Sequence, residues 1–159
     1  MLETGQPAPS FSLESDTGAT ISLESLRGRP VVIYFYPKDD TPGCTTQAVS
    51  IRDNWGEFGK IGAQVIGVSP QNAASHRKFK EKYGLPFPLL ADTDHTMAEG
   101  YGVWVETKNY GKTYMGVERS TFIVDADGNL AAIKRRVKPD EHTAWALGEV
   151  EKLTAGARS

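Results

Sequence analysis

The chain has 159 residues, of which 39% are hydrophobic and 24% are charged, and its formal net charge is −2. This length suits a single domain, which we place at 1–159, and the small net charge argues against a nucleic-acid or anionic-membrane partner. The sequence has neither a membrane-length apolar run nor the charged and apolar regions of a secretory signal. Because its single cysteine cannot form an intrachain disulfide, we expect a reducing, cytoplasmic setting.

The N-terminal part of the chain predicts a hairpin followed by a buried strand. Residues 11–13 and 20–23 have the composition of strands and are separated by the turn-forming segment 16–19, so they are expected to pair. The run 31–36 is β-branched or aromatic throughout and ends at Pro37, which is typical of a buried strand.

A helix and a second buried strand follow. Apolar residues recur at intervals of three and four after Cys44, which predicts one continuous helix from there to residue 58. The apolar positions of this helix are Ala48, Ile51, Trp55 and Phe58. The apolar run 64–69 predicts the next strand, and a strand–helix–strand unit of this length favours a parallel pair of strands.

The second half of the chain alternates helices and strands. The predicted elements are a helix capped by Asn72 and ended by Gly84, a strand at 87–91, a short helix at 96–101, a loop with irregular strand at 103–116, a hairpin of strands 120–124 and 130–134, and a final helix opened by Pro139 or Asp140 with a frayed tail at 155–159. This order predicts an α/β fold with one central mixed sheet and helices on both sides.

Cys44 is the first candidate for chemistry. It stands at the start of a predicted helix, where unpaired backbone N–H groups and the positive end of the helix dipole stabilise a thiolate. The alternative is an inert, buried structural cysteine. The preceding loop ends in Thr41, Pro42 and Gly43, and its hydroxyl and glycine favour the reactive cysteine over apolar packing.

The segment from Pro37 to Cys44 matches the Pro-x-x-x-Thr/Ser-x-x-Cys signature of peroxiredoxins, and 36–45 resembles their bacterioferritin-comigratory (peroxiredoxin Q) branch. The likeness extends over most of the chain, through the segments 8–11, 67–69, 101–104 and 116–122. It implies a thioredoxin-like fold with a central mixed sheet, helices on both sides and an N-terminal β-hairpin extension. It also implies a thiol-dependent peroxidase that reduces hydrogen peroxide and organic hydroperoxides without a cofactor or metal.

The resemblance assigns roles to four residues. Cys44 becomes the peroxidatic cysteine, which peroxide oxidises to sulfenic acid, and Arg119 falls on the family's catalytic arginine at the start of the strand near residue 121. Thr41 lies three residues before Cys44, so its hydroxyl can turn towards the peroxide, although a turn or N-cap hydroxyl is the alternative. Pro37 is expected to fix the exit of the strand and shield the pocket from water.

Further candidates concern substrate binding. The backbone N–H of Gly43 is expected to donate a hydrogen bond to the peroxide. Trp104, with Tyr110 and Tyr114, is a candidate for the entrance that an organic peroxide would use, and ordinary packing is the alternative. Glu118 is a candidate for orienting the neighbouring arginine.

The remaining polar residues are expected to be structural. The three histidines lack metal-ligand spacing and are expected to be surface or capping residues. The aspartates Asp92, Asp94, Asp125 and Asp127 are expected to form turns. The basic cluster Lys134, Arg135, Arg136 and Lys138 is expected to be split between the two faces of an edge strand.

Three other functions are alternatives to the peroxidase. A dithiol–disulfide oxidoreductase needs a Cys-x-x-Cys motif, which the chain lacks, and a Cys–His hydrolase needs a histidine base that nothing in the sequence places near Cys44. A non-catalytic redox sensor or binding module on the same fold is the remaining alternative.

Many relatives in this branch carry a second, resolving cysteine five residues after the first, where this chain has Val49. We therefore expect oxidised Cys44 to be recycled by an external thiol, such as glutathione with glutaredoxin, or thioredoxin. The resemblance further implies a monomer or a weak homodimer.

Overall fold

The computed structural model describes residues 2–109 and 111–157, which form nine strands and five α-helices. The strands are β1 (Ser12–Glu14), β2 (Thr20–Ser22), β3 (Val31–Phe35), β4 (Gln64–Ser69), β5 (Leu89–Ala91), β6 (Trp104–Asn109), β7 (Lys112–Val117), β8 (Ser120–Val124) and β9 (Leu130–Lys134). The helices are α1 (Pro42–Asp53), α2 (Trp55–Lys60), α3 (Ala73–Tyr83), α4 (Thr96–Gly100) and α5 (His142–Ala157), with a 3₁₀ turn at Glu24–Leu26.

The central sheet has five strands in the order β5-β4-β3-β8-β9. Strands β3, β4 and β5 run parallel, whereas β8 is antiparallel to β3 and β9 is antiparallel to β8. The predicted mixed sheet, the parallel β3–β4 pair and the β8–β9 hairpin are therefore confirmed. All five residues of β3 are buried, because it is the middle strand and both of its faces are covered.

Alternation along β3 divides the core between the two faces of the sheet. Val32 and Tyr34 face a first cluster of buried side chains that includes Cys44 of α1 and residues of α2, α3 and α5. Ile33 and Phe35 face a second cluster, which includes residues of α4 and of the N-terminal hairpin. Helices therefore cover both faces, as the sequence predicts.

The N-terminal hairpin of β1 and β2 forms as predicted and packs beside β5. Ser15 forms an isolated bridge with Leu90, and the side chain of Asp16 accepts a hydrogen bond from the backbone N–H of Leu89 at 3.0 Å. Lys80 of α3 pairs with the same aspartate at 2.7 Å. The hairpin thus covers the exposed edge of the sheet, where unpaired backbone groups would otherwise invite association.

The prediction of one helix between Cys44 and residue 58 was wrong, because the segment forms α1 and α2 with a break at Asn54. The side chain of Asn54 donates to the backbone oxygen of Ser50 at 2.8 Å. Asn54 has φ −109° and ψ 17°, which is outside the helical range. A short amide side chain that bonds the backbone offers an alternative to helix continuation.

The segment 103–116, predicted as a loop with irregular strand, is largely a regular hairpin. β6 and β7 form a two-stranded antiparallel sheet of their own, with Trp104 opposite Val117 and Thr107 opposite Tyr114. Their backbone groups satisfy one another, so the hairpin does not need the apolar alternation that would have revealed it in the sequence. At the other end, α5 extends to Ala157, into the segment expected to fray, and residues 158 and 159 lie outside the described residues.

The basic cluster on the edge strand β9 is split between the faces as predicted. Lys134 lies 5.6 Å above the ring of Trp145, on the side of the first cluster. Arg135 lies 5.6 Å above the ring of Phe122, which belongs to the second cluster. Within 2–109 and 111–157, no helix has the length and apolar character that crossing a membrane requires.

Candidate active site

Cys44 lies in the first turn of α1, directly after the loop that leaves β3. The helix begins at Pro42, with Thr41 as its N-cap residue. Gly43 and Cys44 therefore belong to the turn whose backbone N–H groups have no partner within a helix, and the dipole there favours negative charge on sulfur. The cysteine is only 1% exposed, so the thiol is shielded from bulk water.

Arg119 reaches Cys44 because of the way β8 pairs with β3. The two strands are antiparallel and place Ser120 opposite Phe35, so the start of β8 lies at the end of β3 where the cysteine loop begins. Arg119 Nη2 donates a hydrogen bond to Cys44 Sγ at 3.3 Å. A guanidinium at this position stabilises a thiolate and the negative charge that develops on a departing oxygen.

Gln47 holds the same guanidinium from a second direction. Arg119 Nη1 donates to Gln47 Oε1 at 2.6 Å, and Gln47 is fully buried. The glutamine lies three residues after Cys44, so both side chains are on one face of α1. Sequence reasoning missed this residue, although a polar side chain at that spacing on an apolar helix face was a usable signal.

Glu118 does not orient Arg119 in the structure. Its carboxylate Oε2 lies 3.7 Å from Arg136 Nε, so it pairs with a different arginine whose side chain is 87% exposed. The buried amide oxygen of Gln47, which accepts a hydrogen bond from Arg119, has the orienting role that was expected of the glutamate.

Gly43 is packed against the same arginine. A Cβ atom added at Gly43 would lie 3.1 Å from Arg119 Nη2 and 3.4 Å from Cγ of Pro139. The first distance is shorter than ordinary van der Waals contact between such atoms. The absence of a side chain at this position therefore lets the guanidinium lie against the first turn of α1, next to the thiol.

Two other predicted site residues, Thr41 and Pro37, belong to the segment between β3 and α1. The Thr41 hydroxyl donates to the backbone oxygen of Lys38 at 2.9 Å and does not cap its own helix. Pro37 follows the end of β3 and is exposed, and its carbonyl oxygen accepts a hydrogen bond from Ser69 Oγ at 3.5 Å.

Trp104, the first residue of β6, lies away from Cys44. Its ring stacks on His95, with 4.1 Å between the ring centroids and 3° between the planes, and it packs against the second cluster. Cys44 belongs to the first cluster, on the other side of β3. Tyr114 is 50% exposed, and Tyr110 lies outside the described residues. The structure thus does not bring Trp104 and Cys44 together.

Two of the three histidines are buried, so the expectation of surface or capping roles was wrong for them. His76 is fully buried and bonds to Asp39. His142, in α5, is fully buried against the ring of Tyr34 at 5.6 Å between centroids. The aspartates behave as expected: for example, the carboxylate of Asp92 accepts hydrogen bonds from backbone N–H groups at the start of α4.

The titratable neighbours of Cys44 are held neutral. Burial, together with the charges of Arg119 and Lys134, lowers the pKa of His142 to about 3. Burial, reinforced by negative charge at Cys44 and Asp39, raises the pKa of Tyr34 well above its ordinary value. Neither of these two rings is charged at neutral pH, and Arg119 is a positive charge in direct contact with the sulfur.

The described part of the chain contains no group of three or more histidine, cysteine, aspartate or glutamate side chains that could hold a metal ion. The chemistry available at this site is that of a shielded thiol next to a fixed guanidinium and the free N–H groups of a helix start. That arrangement suits nucleophilic attack on a small substrate from which negative charge departs.

Residues 4–133 match the model of the AhpC/TSA family. The chain belongs to the AhpC/TSA family. It is 48% identical over 153 residues to the peroxiredoxin Bcp of Bacillus subtilis, covering 96% of this chain and 98% of that protein. It is 47% identical over 149 residues to a putative peroxiredoxin bcp of Coxiella burnetii, covering 94% and 99% of the two chains.

A solved structure from the same branch supports the same family assignment. The bacterioferritin comigratory protein of Xanthomonas campestris, studied for alkyl peroxide reduction, superposes with a TM-score of 0.89 at 34% identity. The match covers 96% of this chain and 99% of that one. The thioredoxin-like fold and the recognition of a peroxiredoxin of the Bcp (peroxiredoxin Q) branch are confirmed, and this AhpC/TSA protein is a thiol-dependent peroxidase.

Proposed function

We propose that Cys44 is the peroxidatic cysteine and that Arg119 is its principal electrostatic partner. The observation that carries this proposal is the 3.3 Å hydrogen bond from Arg119 Nη2 to Cys44 Sγ. The thiolate attacks one oxygen of a hydroperoxide ROOH, a sulfur–oxygen bond forms and the oxygen–oxygen bond breaks. Cys44 becomes sulfenic acid, and the departing alkoxide or hydroxide takes up a proton to give ROH or water.

The other groups around the sulfur bind the peroxide. The backbone N–H groups of Gly43 and Cys44 point from the start of α1, where they donate to a peroxide oxygen. The Thr41 hydroxyl donates its hydrogen bond to the backbone oxygen of Lys38, so its lone pairs are left to accept a hydrogen bond from the O–H of the hydroperoxide. Pro37 fixes the backbone from which this loop departs.

The substrates we propose are hydrogen peroxide and organic hydroperoxides. Attack requires only the O–O–H group to enter the pocket, so the group R can remain outside. The alkyl peroxide reduction studied in the Xanthomonas campestris relative supports this range. Because Trp104 lies with the second cluster, its candidate role as an entrance residue has no support from the described contacts.

We further propose that an external thiol recycles Cys44. The chain contains one cysteine, so no intrachain disulfide can form. A thiol R′SH condenses with the sulfenic acid to give a mixed disulfide and water, and a second R′SH releases Cys44 as the thiol together with R′SSR′. Glutathione with glutaredoxin, or thioredoxin, supplies such a thiol in a reducing cytoplasm, and a monomer or weak homodimer suffices for the cycle.

The test combines turnover with intact-mass measurement. The wild-type protein is expected to consume peroxide steadily with a thiol reductant, whereas Cys44→Ser is expected to be inactive. One equivalent of peroxide without thiol should add one oxygen to the mass, and added glutathione should convert that product to a glutathione adduct. A covalent dimer as the main product would instead place the resolving thiol on a second copy of the chain. Full activity of Cys44→Ser would refute the assignment.

A further inference from the structure

The loop between β3 and α1 contains a buried acidic residue that the peroxidatic site does not use. Asp39 lies midway between the end of β3 and the first turn of α1, and its side chain is only 4% exposed. Aspartate is almost never buried to this extent unless its charge is paired. The partners of this carboxylate therefore determine how the cysteine loop is held.

Both oxygens of the Asp39 carboxylate are fully engaged. Oδ1 accepts a hydrogen bond from the Tyr36 hydroxyl at 2.6 Å. Oδ2 accepts one from Ser75 Oγ at 2.7 Å and lies 2.7 Å from His76 Nδ1. The other ring nitrogen of His76 lies 2.8 Å from the backbone oxygen of Leu90 in β5. One aspartate thus ties the cysteine loop to α3 and, through His76, to the central sheet.

The environment of Asp39 keeps its carboxylate charged. A backbone carbonyl oxygen can only accept, so His76 Nε2 carries a proton. Burial by itself raises the pKa of Asp39, but bonds and charge from His76, with bonds from Tyr36 and Ser75, prevail and lower it from its ordinary value. The carboxylate is therefore ionised, and His76 lies against it as a buried hydrogen-bond partner.

The two half-reactions are the oxidation of Cys44 by peroxide and its reduction by a thiol. They make different demands on the loop that this pair holds. A peroxide is small and reacts at a thiol packed against Arg119, but an external thiol must approach the oxidised sulfur in line with the bond that breaks. Cys44 is 1% exposed, so a molecule the size of glutathione or a protein thiol reaches it only when the loop and the first turn of α1 move.

We propose that Asp39 and His76 form a latch, which holds the Cys44 loop closed for the peroxide step and has to release it for the thiol step. Both are positioning residues, since neither touches the sulfur. The inference rests on the proposed function for its two half-reactions. The closed state itself can be measured without either reaction.

The neighbouring residue provides a matched control. Asp40 also ties the loop to α3, because its carboxylate accepts hydrogen bonds from Lys82 Nζ and the Tyr83 hydroxyl, each at 2.7 Å. This contact is exposed, with 58% and 43% of the Lys82 and Asp40 side chains accessible. Exposed ion pairs contribute little to stability, whereas breaking a buried pair leaves an uncompensated charge. Lys82→Met is thus expected to leave the loop closed.

The variants separate the two ends of the latch. Asp39→Asn keeps the shape of the side chain and removes its charge. It also places an NH₂ group opposite the hydrogen-bond donors that surround the carboxylate. In His76→Gln the amide can reach the Leu90 oxygen and not Asp39, whereas in His76→Asn it can reach Asp39 and not Leu90. Ser75→Ala removes one hydrogen bond to the carboxylate and is the mildest change. Circular dichroism and thermal unfolding establish which variants are folded before any rate is compared.

The first measurement is the rate at which a bulky maleimide alkylates reduced Cys44. Asp39→Asn and His76→Gln are expected to raise this rate on the order of a hundredfold, because one side of a buried pair is lost. His76→Asn and Ser75→Ala should give smaller increases, and Lys82→Met should match the wild type. If the folded variants are alkylated at the wild-type rate, the latch does not exist. Should Asp39→Asn fail to fold, Ser75→Ala and the histidine variants decide the question.

The second measurement follows the two half-reactions separately, by single-turnover oxidation with peroxide and by reaction of the sulfenic acid with glutathione. A latch predicts opposite changes: Asp39→Asn and His76→Gln slow the peroxide step and accelerate the glutathione step. A merely structural role would slow both, and that result would overturn the proposal. If the wild type did not react with peroxide at all, the proposed function would fail while the alkylation result would still judge the latch.

Discussion

Cys44 and Gln47 lie one helical turn apart on α1 and hold the same guanidinium group from two directions. Arg119 donates a hydrogen bond from Nη2 to the sulfur at 3.3 Å and another from Nη1 to the amide oxygen at 2.6 Å. Because both acceptors belong to one rigid helix, the arginine has little freedom to turn away from the thiol. A charge that is already in place before reaction stabilises developing negative charge without further reorganisation.

The first prediction concerns Arg119. Arg119→Leu should lower kcat/KM for hydrogen peroxide on the order of a hundredfold, or about 2.7 kcal/mol, since it removes a preorganised donor from the reacting centre. Arg136→Leu removes an arginine whose side chain is 87% exposed and serves as the control. Equal activity in the two variants would show that Arg119 has been given the wrong role.

The second prediction concerns Gly43. A methyl group there meets Arg119 Nη2 at 3.1 Å, so Gly43→Ala should displace the guanidinium and reduce kcat/KM by about 1.4 kcal/mol, or tenfold. Gly56→Ala is the matched control, because a Cβ at Gly56 meets nothing within 4 Å. Steady-state kinetics of both variants check this. A fully active Gly43→Ala would mean that the close contact has no bearing on catalysis.

The third prediction concerns Thr41. Thr41→Val keeps the shape of the side chain but loses the hydroxyl that bonds Lys38. We expect the rate of sulfenic acid formation to fall by about two orders of magnitude, as for loss of one stabilising hydrogen-bond partner in a reacting site. Thr41→Ser should recover most of the rate. If the serine and valine variants react alike, the hydroxyl only shapes the turn.

The fourth prediction concerns acid stability. His142 has a folded-state pKa of about 3 against an ordinary value of 6.5. Below about pH 6.5 the unfolded chain binds a proton at His142 that the folded protein does not, so the stability contributed by neutral His142 is lost as the pH falls towards 3. His142→Phe should remove this loss, which is at most about 1.4 kcal/mol per pH unit.

Denaturant unfolding of the His142→Phe variant and the wild type across this pH range provides the measurement. The difference between their unfolding free energies should grow in favour of the variant as the pH is lowered. Parallel curves would show that His142 accepts a proton in the folded protein without cost.

The sequence determined the central elements and the reactive residue. The run 31–36, the hairpin around 125–129 and the cap at Asn72 are local patterns, in which neighbouring residues set the backbone conformation. The cap, for instance, is present, with Asn72 Oδ1 accepting from the N–H of Ser75 at 2.8 Å. Cys44 was recognisable because the thiol, the loop and the helix start are contiguous in the chain.

Contacts between distant segments were decided only by the tertiary structure. Arg119 is 75 positions from Cys44, and only the pairing of β8 with β3 brings them together. The orienting residue turned out to be Gln47 rather than Glu118, which is adjacent to the arginine but pairs with Arg136 instead.

The buried histidines show most clearly that contacts between distant segments are not visible in the sequence. His76 meets Asp39 across 37 positions, and neither residue carries a local signal that it will be buried. Burial of a polar side chain depends on whether folding brings a partner to it, because an unpaired buried charge is too costly to retain. A sequence lists the charges in order along the chain, whereas the fold determines which of them lose their water and which opposite charge compensates.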